Sequence, residues 1–128
     1  MSPVIQLDDL SHSETSHVFI GADHDVPVSL FLVHTPPGRG PSLHRHPYPE
    51  LFIVESGRAT FRVGDGEVVA EHGQIVVAPA NTPHGFTNSG SDELRMVTIH
   101  TAPAMQTEWL EGEEGTSGDG VSVRGRLT

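Results

Sequence analysis

Short apolar runs separated by turn residues follow one another along the chain, and this rhythm limits the fold more than any other feature. The runs cover residues 17–20, 28–34, 51–54, 59–63, 68–70, 75–78, 84–87 and 94–100. Turn residues lie between them, as in Gly64-Asp65-Gly66, where Gly and Asp tolerate the positive φ that a hairpin requires. Because turns recur about every 8–12 residues, the pattern predicts an all-β sandwich or barrel.

The helical signal is weak, and the chain length favours one domain. Residues 104–110 could form a short helix, or could equally pack as an irregular arm. A chain of 128 residues is long enough for a single hydrophobic core. Residues 111–128 are too polar and too rich in Gly to bury a core. We therefore predict one β-barrel domain over residues 1–110 and a flexible acidic tail over residues 111–128.

Charge and composition exclude several classes of partner. The chain carries 17 acidic and 7 basic residues, a net charge of −10, and no Cys. Binding to nucleic acid or to an anionic membrane requires clustered Lys and Arg, so neither partner is expected. Without Cys, thiolate metal sites and disulfides are excluded. The chain has no signal-peptide pattern and no run of 18 apolar residues, so we expect a soluble cytoplasmic protein.

Two short patterns supply four candidate metal ligands. The first covers residues 38–57 and consists of Gly38, His44, His46, Glu50 and Gly57. The second covers residues 73–88 and consists of Gly73, Pro79, His84 and Asn88. Three imidazoles and one carboxylate suit a divalent transition metal and leave coordination positions free. The candidate ligands are therefore His44, His46, Glu50 and His84.

The spacing of the first pattern has a structural reason. Residues two apart on a strand point to the same face, so His44 and His46 project together. Pro47 and Pro49 cannot donate to a ladder, so the strand should bend or bulge before Glu50. With nine His in the chain, a His-x-His pair is common by chance. The inference therefore depends on the fixed offsets to Glu50 and to the glycines.

The two patterns resemble the paired motifs of the cupin superfamily. The first pattern matches at every defining position, whereas the second has Asn81 where the family often has Gly. Asn tolerates the left-handed conformation better than most residues, so the turn should survive. The resemblance implies a small single-domain jelly-roll β-barrel (the cupin 2 type), and it implies that the four candidate residues are the metal ligands. It also implies a homodimer.

Five residues near the ligands are candidates for a substrate pocket. Phe52 and Phe86 each follow a ligand by two positions, which places them on the ligand face, as core filling or as substrate contacts. Tyr48 lies between two prolines and could be a polar pocket group or a rim residue. His34 and His100 each end a strand, and either could line the pocket.

The ligand set favours Fe(II), Mn(II), Ni(II), Co(II), Cu(II) or Zn(II), and the sequence does not select among them. Four protein ligands could close a tetrahedral zinc site, which would weaken the case for redox chemistry. By family analogy we expect a small metal-dependent enzyme of the dioxygenase type that acts on a small organic substrate. Two alternatives stay open. One is a Lewis-acid isomerase, cyclase or lyase, and the other is non-catalytic binding of a small ligand.

Overall fold

Two antiparallel β-sheets make up almost all of the regular structure. The computed structural model describes residues 3–111. Short 3₁₀ helices cover Leu7–Asp9 and Gly21–His24. The strands are β1 Ser11–His12, β2 Ser16–Phe19, β3 Ser29–Thr35, β4 His44–Arg45, β5 Glu50–Ser56, β6 Arg58–Val63, β7 Gly66–Glu71, β8 Ile75–Ala78, β9 His84–Asn88, β10 Leu94–His100 and β11 Glu108–Trp109.

The strands divide into sheet A, in the order β1-β2-β3-β10-β5-β8, and sheet B, in the order β11-β4-β9-β6-β7. The chain passes from sheet B to sheet A between β4 and β5, where Pro47 and Pro49 cannot continue a ladder. This break was predicted. The expected closed jelly-roll barrel is not seen, because hydrogen-bonded strand pairing among residues 3–111 leaves two separate sheets. The all-β prediction is confirmed.

The hydrophobic core lies between the sheets. Strand alternation turns every second side chain inward, and Phe52, Phe61, Leu94 and Met96 are at most 2% exposed. The rings of Phe52 and Phe61 meet edge to face, with centroids 5.0 Å apart. Burying a side chain of this size contributes about 1.5–3 kcal/mol, so the inward rows of both sheets hold the fold together.

The predicted strands agree with the structure to within two residues at each end. The segment 104–110 is not the short helix that was one of its two predicted forms; residues 104–107 are irregular, and β11 follows them. This strand pairs with β4, and the register joins Glu108 to Arg45 and Trp109 to His44. Arg45 Nε also donates to Glu108 Oε1 at 2.7 Å. A strand of two residues is too short to show an alternating pattern, and its pairing with β4 depends on residues far away in the sequence.

The predicted tail, residues 111–128, lies outside the described residues apart from Glu111. Its separation from a domain over residues 1–110 stays a prediction. Within residues 3–111 the helices are too short to cross a membrane.

The turn before β9 depends on Asn81. This residue has φ 63°, the left-handed conformation that was predicted for it. Its backbone N–H donates to the carbonyl of His46 at 2.7 Å. The turn is therefore tied to the segment between β4 and β5, which carries one of the candidate ligands.

Replacing Asn81 by Ala should lower the free energy of unfolding by about 1 kcal/mol, because a residue with a Cβ and no polar side chain is strained at positive φ. Asn81→Gly should leave stability nearly unchanged, since Gly adopts this φ freely but also gains entropy in the unfolded chain. Urea denaturation at constant pH measures both. Equal stabilities for the Ala and Gly variants would show that the left-handed conformation carries no cost here.

Candidate metal centre

The four candidate ligands converge between the two sheets. His44 lies on β4, Glu50 begins β5, His84 begins β9, and His46 lies in the segment that joins β4 to β5. One ligand atom from each residue lies within 4.8 Å of the others. All four side chains are buried, with at most 6% of any residue exposed. A buried cluster of three imidazoles and one carboxylate could bind a metal ion.

Backbone carbonyl groups set the orientation of the three imidazole rings. In each ring Nδ1 lies at hydrogen-bond distance from a carbonyl oxygen. The pairs are His44 with Ser42 at 2.6 Å, His46 with Gln106 at 2.9 Å, and His84 with Thr82 at 2.9 Å. Because a carbonyl oxygen only accepts, each Nδ1 carries the hydrogen and donates it. Each neutral ring therefore keeps its lone pair on Nε2, which is the tautomer that a metal ligand needs.

The carboxylate of Glu50 faces two of these lone pairs. Glu50 Oε1 lies 3.0 Å from Nε2 of His46 and 3.1 Å from Nε2 of His84. The contact with His46 is not aligned as a hydrogen bond, so this buried Nε2 has no hydrogen-bond partner. Lone pairs this close to a carboxylate oxygen repel one another unless a cation lies among them. The donor set therefore fits a divalent metal ion.

The electrostatic environment disfavours a proton in the place of a metal ion. Burial, together with the neighbouring His84 and His46, lowers the pKa of His44 to about 3. Burial also lowers the pKa of His46, although Glu50 opposes that effect. The pKa of Glu50 would rise through burial alone, but His100 and the other neighbouring histidines hold it well below its ordinary value. At neutral pH the Glu50 carboxylate therefore lies beside the neutral imidazoles of His44 and His46, the forms that coordinate a metal ion.

A chain of hydrogen bonds holds the second oxygen of Glu50. His100 Nε2 donates to Glu50 Oε2 at 3.1 Å, and the Tyr48 hydroxyl donates to His100 Nδ1 at 2.7 Å. The backbone N–H of Gln106 donates to the Tyr48 hydroxyl at 3.4 Å. Burial raises the pKa of Tyr48, so the hydroxyl keeps its proton. Because these hydrogen bonds engage Oε2, the other oxygen of Glu50, Oε1, is the one that faces the imidazole nitrogens of His46 and His84.

A cavity of about 30 Å³ lies beside the cluster, which is room for about two water molecules. Its lining combines the candidate ligands with apolar and hydroxyl-bearing side chains. Besides three of those ligands and His100, the lining residues are Phe31, Val33, Pro41, Phe52, Phe86, Thr98, Thr107 and Trp109. None of these described lining residues is Arg or Lys. The space therefore suits a small ligand with more carbon than charge.

The structure brings four of the five predicted pocket residues to this site. Phe52, Phe86 and His100 line the cavity. Tyr48 reaches it through His100 and stacks on the His46 ring at a centroid distance of 5.0 Å and an interplanar angle of 8°. His34 is not brought to the cavity. It lies on the outer face of β3, with its ring centroid 5.4 Å from that of His17.

Six lining residues were not identified from the sequence, namely Phe31, Val33, Pro41, Thr98, Thr107 and Trp109. Thr98 is two positions before His100 on β10, so strand alternation was a sufficient signal for it. Its Oγ1 is buried without a hydrogen-bond partner. Trp109 and Thr107 arrive with β11, and their sequence neighbourhood carries no signal. The Trp109 ring centroid lies 4.8 Å from that of His44, and Thr107 Oγ1 lies 3.3 Å from His46 Nδ1.

Comparison with known proteins gives a consistent family assignment. A family model described as "Cupin domain" matches residues 31–100, a segment that includes all four candidate ligands. No curated protein matches the chain.

Several solved structures share the fold. A Klebsiella pneumoniae protein with a double-stranded beta-helix domain aligns with a TM-score of 0.69 and 22% identity, over 88% of this chain and 100% of that one. Oxalate decarboxylase from Lactobacillus farciminis, in a formate complex, aligns with a TM-score of 0.71 and 22% identity, over 82% of this chain and 35% of that one. A Bacillus subtilis oxalate decarboxylase with Mn(II) centres aligns with a TM-score of 0.68 and 22% identity, over 77% and 29%. The chain thus spans about a third of the length of the oxalate decarboxylases.

The metal-free protein should lose stability as the pH falls from about 6.5 towards about 3. The unfolded chain protonates His44 near its ordinary pKa of 6.5, whereas the folded chain does so only near 3. Between these values the unfolded state binds more protons, and each pH unit costs about 1.4 kcal/mol. Urea denaturation of metal-free protein at pH 7 and pH 5 measures the slope.

Two variants test the assignment of this slope to the buried cluster. His44→Gln removes the titrating ring and should show a shallower pH dependence than the wild type. His72 is exposed and lies outside the cluster, so His72→Gln should keep the wild-type slope. An unchanged slope in His44→Gln would contradict the assignment.

Proposed function

Because this chain belongs to the cupin domain family, whose model matches residues 31–100, we propose that it is a metal-dependent enzyme of the oxygenase type acting on a small organic substrate. One observation carries the proposal. Three imidazole Nε2 atoms and one carboxylate oxygen converge in a buried site beside an apolar cavity. A site that served only to stabilise the fold would have no need of the adjoining space.

His44, His46, Glu50 and His84 would hold the ion. Bound there, an Fe, Mn, Ni, Co or Cu ion would supply free coordination positions for substrate and dioxygen, whereas tetrahedral Zn could be closed by the same four ligands. The site is preorganised by hydrogen bonds. Backbone carbonyl groups accept from each Nδ1–H, and His100 donates to the carboxylate of Glu50. Such preorganisation reduces the rearrangement that binding requires.

The cavity suggests what the substrate is like. Glu50 offsets one of the two positive charges of a divalent ion, so a substrate oxygen with a single negative charge would balance the site. The apolar walls formed by Phe31, Phe52 and Phe86 would contact the carbon part of the substrate. A volume of about 30 Å³ takes only a few heavy atoms unless a side chain moves. Trp109 is partly exposed and belongs to a two-residue strand, so we expect its side chain to move when a larger ligand enters.

A Lewis-acid reaction without redox chemistry is the second candidate. The fold is shared with oxalate decarboxylases, one of which has Mn(II) centres, and this likeness favours an isomerase, cyclase or lyase as the alternative to an oxygenase. Oxalate itself fits poorly, because the described lining residues offer no Arg or Lys to balance a second negative charge. Non-catalytic binding of a small ligand is the third candidate.

Metal content tests the proposed ligands. The wild-type protein should keep about one divalent ion per chain after dialysis, and His84→Ala should lower the retained metal by about tenfold or more, because one ligand is lost. Inductively coupled plasma mass spectrometry gives both the amount and the element. His72→Ala is the matched control and should retain the wild-type content. Full retention by His84→Ala would remove His84 from the site.

Oxygen consumption separates the candidate functions. Protein loaded anaerobically with Fe(II) should consume oxygen when mixed with the correct member of a panel of diketones, catechols and thiols. The Glu50→Gln protein should lose this activity together with its metal. If the Fe, Mn, Ni and Cu forms consume no oxygen with any member of the panel, the oxygenase proposal is contradicted. Turnover without oxygen uptake would support the Lewis-acid candidate, and tight binding without turnover would support the third.

A further inference from the structure

The inward-facing side chains of sheet A change from polar to apolar along the strands, and Thr98 lies at the boundary. Strand register places Thr98 on β10 between Phe31 on β3 and Phe52 on β5. The next inward row towards the metal centre consists of Ser29, His100 and Glu50, and the next row in the other direction consists of Val33, Met96 and Val54. Thr98 is therefore a polar side chain in an otherwise aromatic row, beside the row that carries Glu50.

The hydroxyl of Thr98 is buried without a partner in the described part of the chain. The residue is 3% exposed, and its Oγ1 has no hydrogen-bond partner among residues 3–111. Nε2 of His46 and Nε2 of His34 share this property. The first belongs to a candidate metal ligand, and the second belongs to a residue on the outer face of β3. Among these three atoms, Thr98 Oγ1 is thus the one that belongs to a cavity-lining residue and is not a candidate ligand atom.

Strand propensity does not explain a threonine at this position. Val has the same branched shape, favours strands as well, and carries no polar group that needs a partner. A buried hydroxyl without a hydrogen bond lowers stability, because it has given up its hydrogen bonds to water. The threonine therefore indicates a hydrogen-bond partner that comes from outside the chain.

Thr98 lines the same cavity of about 30 Å³ as three of the candidate ligands. The rings on either side of it also approach the metal centre. The ring centroid of Phe31 lies 5.2 Å from that of His100, and the ring centroid of Phe52 lies 5.7 Å from that of His84. Successive inward side chains of a strand are about 7 Å apart, a distance that a molecule of about three carbons can span with a hydrogen bond at one end and a metal–oxygen bond at the other. One small ligand can therefore reach Thr98 and a bound ion together.

Two other polar side chains of the lining already have partners within the protein. Thr107 Oγ1 lies 3.3 Å from Nδ1 of His46. Both ring nitrogens of His100 have partners in the link that holds the buried carboxylate. Thr98 is therefore better placed than either of them to form a hydrogen bond with a ligand.

We propose that Thr98 is a specificity-determining residue whose hydroxyl binds a neutral oxygen of the ligand, while an anionic oxygen of the same ligand binds the metal ion. This inference rests on the proposed function, because the ion is what attracts the anionic oxygen. The described lining residues include no Arg or Lys to balance a second charge. Phe31 and Phe52 flank the hydroxyl and would contact the carbons of the ligand. The ligand class is a short monoanion with a second, uncharged oxygen, such as a hydroxy acid or an oxo acid.

Two probes that differ in one oxygen test this assignment. The probes are 3-hydroxypropionate and propionate, which share their charge and their number of carbons. The wild-type protein is loaded with Mn(II), or with Ni(II) or Zn(II) if it does not retain Mn(II), and titrated calorimetrically. It should bind 3-hydroxypropionate about fivefold or more tightly than propionate, because one more hydrogen bond forms.

Three variants assign this preference to the hydroxyl. Thr98→Val should bring the two dissociation constants to within about twofold of each other, because the hydrogen bond to the ligand is lost. Thr98→Ser keeps the hydroxyl and should keep the preference. Thr87→Val makes the same change at an exposed position of β9 and should behave as the wild type. A Thr98→Val protein that keeps the full preference would overturn the inference.

Urea denaturation of the metal-free proteins tests the hydroxyl without any ligand. Thr98→Val should unfold at a urea concentration no lower than that of the wild type, because it removes an unpaired buried hydroxyl. A lower midpoint, or a variant that does not fold, would show that the hydroxyl serves the fold and would overturn the inference.

Metal content measured on the same samples separates this inference from the proposed function. A protein that holds an ion but binds the two acids equally, or binds neither, would overturn the inference about Thr98 and leave the proposed metal site intact. A wild-type protein that retains none of the three ions would overturn both, because the anionic oxygen of the ligand would then have no partner.

Discussion

The rest of this structure depends on one buried carboxylate, which lies between the two sheets and requires polar partners from several strands and loops. Glu50 is 3% exposed, and an isolated charge in such a place costs several kcal/mol or more. Three histidine nitrogens lie within 3.1 Å of its oxygens, and the rings that contact Oε1 are held by backbone carbonyls on the other side. Burial of this charge is tolerable only because neighbouring strands and loops supply every partner at once. The same arrangement of donor atoms could bind a cation.

The architecture places this charged cluster beside an apolar space. Inward rows of both sheets pack their aromatic rings against one another, as Phe52 does against Phe61. Three of the four candidate ligands, His44, His46 and Glu50, lie where the chain passes from one sheet to the other, at the interruption formed by Pro47 and Pro49. Ser42, Thr82 and Gln106 lie outside the strands, so their carbonyl groups are free of a ladder and can orient the imidazole rings. An apolar wall beside an ion raises the strength of the ion's interactions with any ligand.

Family and fold bound the function without choosing the reaction. Membership of the cupin domain family accounts for the two sheets and for the ligand pattern, and the solved neighbours below 25% identity share the fold. One fold supports many reactions, so the reaction has to be inferred from the site itself. In this chain the site includes Trp109 and Thr98 in the cavity lining and the hydrogen-bonded link from Tyr48 through His100 to Glu50.

The sequence by itself determined the strands and the left-handed turn at Asn81, because each depends on short-range alternation or on the φ preference of one residue. It identified the four candidate ligands through the fixed spacing of two motifs and their resemblance to the cupin superfamily. Only the tertiary structure decided that Trp109 reaches the site through β11 and that His34 faces away from it. Those placements depend on pairing between strands far apart in the sequence, and residue spacing does not record which strands meet.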